Sequence, residues 1–223
     1  MSWDIFHFAD DGTYWSGTAD GINYTTNLPN FAVQFNGAGQ YATINNFSGL
    51  QFPTSFSIDF WTEGLDTLSG YPSSIFLENG YGYDTGWAFD AFDGSNTINF
   101  ALYESSSNMV PSSGPVSVES GWHHIVVSRS GSTISMTIDG TTQANTLTYS
   151  GTISNSVDPV YIGGYQAAGS FSSITIDHLK IISSSTTLGD WEFNEGRGSS
   201  AGNSSGVAPA AVLFGSPAWV PGE

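Results

Sequence analysis

Short runs of alternating apolar and polar residues, broken by clusters of Gly, Ser, Asn, Asp and Pro, fill most of this chain. A period of two marks a strand with one buried and one wet face, because successive side chains on a strand point to opposite sides. The clearest run covers residues 55–61, with Phe56, Ile58 and Phe60 on one face and Ser57, Asp59 and Trp61 on the other. A second covers 122–129, with Ile125 and Val127 sharing a face. In the third, Ile134, Met136 and Ile138 alternate with Ser135 and Thr137. Ser130-Gly131-Ser132 joins these two as a hairpin, and Asp139-Gly140 makes the next turn before 141–148. Such pairs accept the positive φ that tight hairpin turns require.

The same reading predicts strands over 31–36, 40–45, 86–92, 97–104, 159–163, 172–182, 190–194 and 211–219. Within 174–181 the apolar positions slip from even to odd numbers near Asp177, which a β-bulge explains. Ser183-Ser184-Ser185-Thr186-Thr187 reads as a polar connector and 196–206 as an exposed loop. No long segment carries a helical period. The pattern therefore predicts an all-β fold, a two-sheet antiparallel jelly-roll sandwich. One domain over residues 1–223 is expected, since sandwiches run to about 250 residues as a single unit.

Charge narrows the function classes. Twenty acidic residues face only Arg129, Lys180 and Arg197, for a net charge of −17. That balance repels phosphate backbones and anionic lipid surfaces, so neither nucleic acid nor membrane insertion is expected. It attracts cations, Ca²⁺ among them, although acidic residues also simply solvate a surface. Cysteine is absent, which removes disulfides, thiolate metal sites and Cys nucleophiles together. No apolar stretch of about 18 residues exists. Met1-Ser2-Trp3-Asp4 has neither a basic nor an apolar signal region, so the chain as written is expected to carry no secretion signal.

Four segments in order resemble the laminin-G-like, concanavalin A-like lectin and glucanase jelly rolls. They are Phe31-Ala32-Val33-Gln34-Phe35-Asn36-Gly37 with Gln40-Tyr41-Ala42-Thr43-Ile44; Phe56-Ser57-Ile58-Asp59-Phe60-Trp61; the Trp122-His123-His124 strand running to Met136-Thr137-Ile138-Asp139-Gly140; and Tyr161-Ile162-Gly163-Gly164 with Ile174 through Ile181. The resemblance is strongest over residues 31–182. Trp191-Glu192-Phe193-Asn194-Glu195-Gly196 also resembles the family, but in relatives it is expected before the first core strand. Residues 183–223 then form a C-terminal extension that either completes this sandwich or contacts a neighbour.

The resemblance also implies a structural Ca²⁺ near the sandwich edge, held by backbone carbonyls and one strand carboxylate. Asp177 matches that carboxylate by position, and Gly37 lies in the turn that offers a carbonyl; the other reading is that Asp177 stabilises the bulge. Asp84, Asp90 and Asp93 form a second, weaker acidic cluster. His123 and His124 face opposite sides of one strand and cannot chelate one ion together. The ligand-binding candidates are Tyr71, Tyr81, Tyr83, Asp84 and Trp87. Their rings suit stacking on sugars or a protein hot spot, or else cover the end of the core.

No catalytic residue is assigned. Glycosidases of this fold carry alternating carboxylates on one strand, resembling Glu-x-Asp-x-Glu, and this chain has only Asp59 and Glu63, four apart. The expectation is a non-enzymatic recognition or adhesion domain, extracellular or on a virion surface, binding glycan through end loops. A structural or decoration protein of a phage or virus particle is the alternative, with capsid or tail proteins as partners and a homo-oligomer as its form. A diverged glycoside hydrolase is the third reading.

Overall fold

The computed structural model describes residues 7–8, 14–15, 29–47, 50, 55–68, 75–80, 86–91, 97–105, 108–110, 116–153, 158–165 and 169–223. A two-stranded ladder comes first, β1 (His7–Phe8) with β2 (Tyr14–Trp15). Then follow β3 (Phe31–Gln34), β4 (Tyr41–Ile44) and β5 (Ser55–Glu63), and one 3₁₀ turn at Leu65–Thr67. The middle of the chain supplies β6 (Ile75–Asn79), β7 (Gly86–Ala91), β8 (Thr97–Ser105), β9 (Asn108–Val110) and β10 (Val116–Ser117). Hairpins link β11 (His123–Ser130), β12 (Thr133–Ile138) and β13 (Thr141–Thr148). After β14 (Val160–Ile162), β15 (Gly164–Tyr165) and β16 (Ser170–Phe171) come β17 (Thr175–Ser183), β18 (Thr186–Trp191), β19 (Ser200–Ala201), β20 (Ala211–Phe214) and β21 (Ala218–Pro221).

Two antiparallel sheets hold most of these strands. One runs β10-β8-β7-β6-β14-β4-β20-β19 with β9 beside β8; the other runs β13-β12-β11-β5-β17-β3-β21 with β18 beside β17. Their facing sides form one core. On β5, Phe56, Ile58, Phe60 and Thr62 are buried and the residues between them are not, as the alternation requires. Phe60 meets Phe89 of the opposite sheet edge to face at 5.0 Å, and Phe89 meets Phe100 at 5.0 Å in the same manner. Ile125 and Val127 are fully buried beside them. Edge-to-face rings set the positive rim of one ring against the negative face of the next. No helix among the described residues is long and apolar enough to cross a membrane.

Three local features differ from the alternation reading. Strand β6 lies outside the expected strands, because all five of its residues are buried and a register shift between Ile75 and Leu77 removes the alternation. The 183–187 connector is instead the tight turn of a β17–β18 hairpin, with Ser184 at φ 56°, so the strand expected at 190–194 starts earlier and ends at Trp191. The single strand expected over 211–219 is two strands in different sheets: β20 pairs β4 and β21 pairs β3. Gly215 and Ser216, at φ 75° and 57°, turn the chain across the sandwich between them. Through these pairings the C-terminal residues complete both sheets.

The expected bulge is present. Asp177 pairs with Trp61 and Lys180 with Asp59, so His178 and Leu179 together oppose the single residue Phe60. Leu179 points into the core and His178, at φ 46°, turns outward. The Asp139-Gly140 turn likewise has both residues at positive φ, 50° and 75°.

Candidate functional site

The outer face of the second sheet carries a band of charged and polar side chains around the Trp61–His124 stack, whereas the rings of Tyr41, Tyr161, Tyr165, Phe171 and Phe214 cluster elsewhere. Alternation on β5 sends Asp59, Trp61 and Glu63 outward. Across the ladder, His124 of β11 stands directly opposite Trp61, and the two rings stack at 4.8 Å with 16° between their planes. The His124 Nε2 lies 2.7 Å from Asp59 Oδ1, which fixes the imidazole edge while its face stays on the indole. On the other side of β5, Lys180 sits opposite Asp59 and donates to Asp190 Oδ2 at 3.0 Å. Hydrogen bonding to that carboxylate holds the Lys180 ammonium above its ordinary range. His178 Nε2 lies 3.1 Å from Asp190 Oδ1 and 3.5 Å from Glu192 Oε1. A band of alternating charge and aromatic surface thus crosses four strands, β11, β5, β17 and β18.

Glu63 carries this band to the end of the sandwich. There an open cleft of about 240 Å³ is lined by Gln34, Glu63, Asp66, Thr67, Ser173 and Thr175, among others. Thr175 Oγ1 donates to Glu63 Oε1 at 3.2 Å. The cleft's one aromatic residue, Phe35, is fully buried, so its accessible lining is polar and acidic. Aromatic surface is found on the neighbouring sheet face instead, at Trp61.

On the inner side of the same strand, His123 is held between Asp139 Oδ2 at 2.8 Å and the Glu119 carbonyl at 2.9 Å. Burial acts to lower its pKa, but these partners outweigh it and raise the imidazole above its ordinary value. The two adjacent histidines thus serve opposite faces, as strand geometry requires.

Residues 36–190 match the family model described as the concanavalin A-like lectin/glucanases superfamily, a laminin-G model. The chain belongs to that superfamily, as a laminin-G-type member. Solved structures agree on the fold. Domains LG4-5 of the mouse laminin α1 chain are 15% identical with a TM-score of 0.52, over 78% of this chain and 46% of that one. A protein of Bacteroides ovatus, described as a candidate carbohydrate-binding protein, is 9% identical with a TM-score of 0.58, over 93% and 67%. The binding domain of botulinum neurotoxin DC, in complex with SialylT, is 13% identical with a TM-score of 0.51, over 81% and 47%. This chain spans about half the length of the laminin and toxin structures it matches. No curated protein matches by sequence.

The residues expected to form sites in this laminin-G-type domain fall in different places. Tyr71, Tyr81, Tyr83 and Asp84 lie outside the described residues, as does Asp93. Trp87 does not join an exposed loop. Its indole is fully buried in the core, edge-on to Phe89 and stacked on Phe100, because β7 begins at Gly86 and turns position 87 inward. Gly37 and Asp177 are not brought together. Gly37 lies against Ser173, four residues before Asp177 along the chain. The Asp177 Oδ2 instead accepts from the Glu223 backbone N–H at 3.1 Å and from Asn30 Nδ2 at 3.3 Å, so the chain's last residues cap it. Burial raises its pKa against those donors. Asp90 accepts from Asn99 Nδ2 on the outer side of the first sheet, and burial pushes its carboxyl up to about 7.

The Trp61–His124 face is not among the sites expected from the sequence, although its parts are legible there. Alternation places Trp61 outward between two carboxylates, and it places His124 and His123 on opposite sides of their strand. Their stacking depends on the β5–β11 register, which no local pattern specifies.

Proposed function

We propose that this domain is a recognition module that binds glycan on the outer face of its second sheet, with the Trp61–His124 stack as the platform. The observation that carries this reading is a half-buried indole stacked on a histidine that Asp59 holds, on a sheet face that also carries Lys180, Asp190 and Glu192. Aromatic surface covers the apolar C–H patches of a sugar ring, while carboxylates and an ammonium pair with its hydroxyls. The carbohydrate-related descriptions of two structural neighbours support the choice of ligand class. A net charge of −17 disfavours sialylated or sulfated chains, so a neutral glycan fits best. Such a module works where glycans are displayed, outside a cell or on a particle surface.

Recognition fits better than turnover. The outward position between Asp59 and Glu63 is Trp61 where glycosidases of this fold carry a third carboxylate, and Asp59 is already engaged by the His124 ring at 2.7 Å. A glycan array probed with the full chain tests the reading. Binding to a neutral oligosaccharide, lost at least about tenfold in Trp61→Ala with the melting temperature held within a few degrees, supports it. Equal binding by Trp61→Ala removes the site.

A further inference from the structure

The bulge in β17 assembles a second set of donor atoms. Leu179 pairs with Trp191 and Lys180 with Asp190, and the same register brings His178 level with Glu192. Trp191 is buried inward, so Asp190 and Glu192 flank it on the outer side. The extra residue of the bulge turns the His178 ring onto this outer side. His178 Nε2 then lies 3.1 Å from Asp190 Oδ1 and 3.5 Å from Glu192 Oε1, and the three donor atoms all fall within 4.8 Å of one another.

We propose that His178, Asp190 and Glu192 bind a divalent transition metal ion of the zinc class. An ion about 2.0–2.2 Å from each donor needs neighbouring donors roughly 3.4 Å apart, and the two shorter edges bracket that value. One imidazole with two carboxylates suits zinc, nickel or cobalt, whereas calcium takes oxygen ligands throughout. Lys180 holds the other Asp190 oxygen, Oδ2, at 3.0 Å and so orients the carboxylate with Oδ1 toward His178, as outer partners of metal ligands do. Side-chain exposures of 38% for His178 and 52% for Glu192 leave the ion's remaining positions to water. Three protein ligands beside a lysine make this a weak, exchangeable site. Asp190 and Glu192 lie on the same sheet face as the glycan platform, but neither Trp61 nor His124 takes part in the ion site, so zinc binding can be read without the glycan.

Calorimetric titration of the chelator-treated full chain with zinc chloride tests this, with Co²⁺ absorption as a second readout. The expected result is one saturable site with micromolar affinity, weakened at least about tenfold in His178→Asn and in Glu192→Gln and unchanged in His124→Gln. Asparagine tolerates the positive φ at position 178, and Glu192 is exposed, so both variants keep the fold. Zinc binding that is equal in wild type, His178→Asn and Glu192→Gln, or no saturation by about 1 mM zinc, overturns the proposal.

Discussion

Replacing Asp90 by Asn should stabilise the protein at neutral and alkaline pH and do little in acid. Burial raises the Asp90 carboxyl from 3.8 to about 7 in the folded chain. Between those values the unfolded chain ionises Asp90 while the folded chain keeps its proton, so the folded state binds more protons. The stability associated with this group is fully present below pH 3.8, falls as pH rises toward about 7, and is level above. A tenfold change in proton affinity corresponds to about 1.4 kcal/mol, so the ceiling is ~4 kcal/mol, and relaxation around a partly exposed carboxyl makes ~2–4 kcal/mol the expected gain at pH 8. Asparagine keeps the shape and cannot ionise. It also brings an amide N–H₂ beside Asn99 Oδ1, which has no hydrogen-bond partner among the described residues. Urea unfolding of both proteins, followed by tryptophan fluorescence from about pH 4.5 to pH 8.5, gives the difference at each pH. Repulsion among the other acidic residues is common to both and cancels. A stability difference that stays flat across this window would refute the burial argument.

Three further outcomes follow from single contacts. Gly189→Ala should destabilise by at least about 1–3 kcal/mol in thermal melts, because a Cβ there would stand 2.0 Å from the Trp191 ring and that ring is fully buried. Asp177→Ala should cost about 1–3 kcal/mol and speed proteolysis of the C-terminal residues, since the Glu223 N–H loses its acceptor and the Asn30 amide keeps only the Glu223 carbonyl. His123→Gln should destabilise the protein below the ordinary histidine value of 6.5, where the charged pair with Asp139 is fully formed in wild type. The effect should shrink as pH rises through the raised folded value, which a pH series of melts will show.

Much of the sandwich is legible in the sequence because alternation and turn chemistry agree. Phe56, Ile58 and Phe60 alternate and are buried, Asp139-Gly140 turns as its residues permit, and the phase slip near Asp177 is a real bulge. What stays hidden depends on contacts distant in sequence. The five residues of β6 are buried on both sides, so no alternation survives to mark them. Trp87 looks like part of an aromatic loop until β7 sets it inward against Phe100. The Asp177–Glu223 contact spans 46 residues, and the His124–Asp59 pair spans 65. Composition and spacing carry no information about such pairs, whereas sheet register decides them. The split of 211–219 into two sheets has a local signal in Gly215-Ser216-Pro217, turn residues inside an otherwise strand-like run.

Amide and indole chemical-shift mapping with an array-selected neutral oligosaccharide bears most directly on the proposed platform. The account predicts shifts concentrated at the Trp61 indole N–H and the backbone around His124, Asp59 and Lys180, with the β4 and β14 signals unmoved. Shifts confined to the opposite sheet or to the loops at the ends of the sandwich, with Trp61 silent, would contradict it.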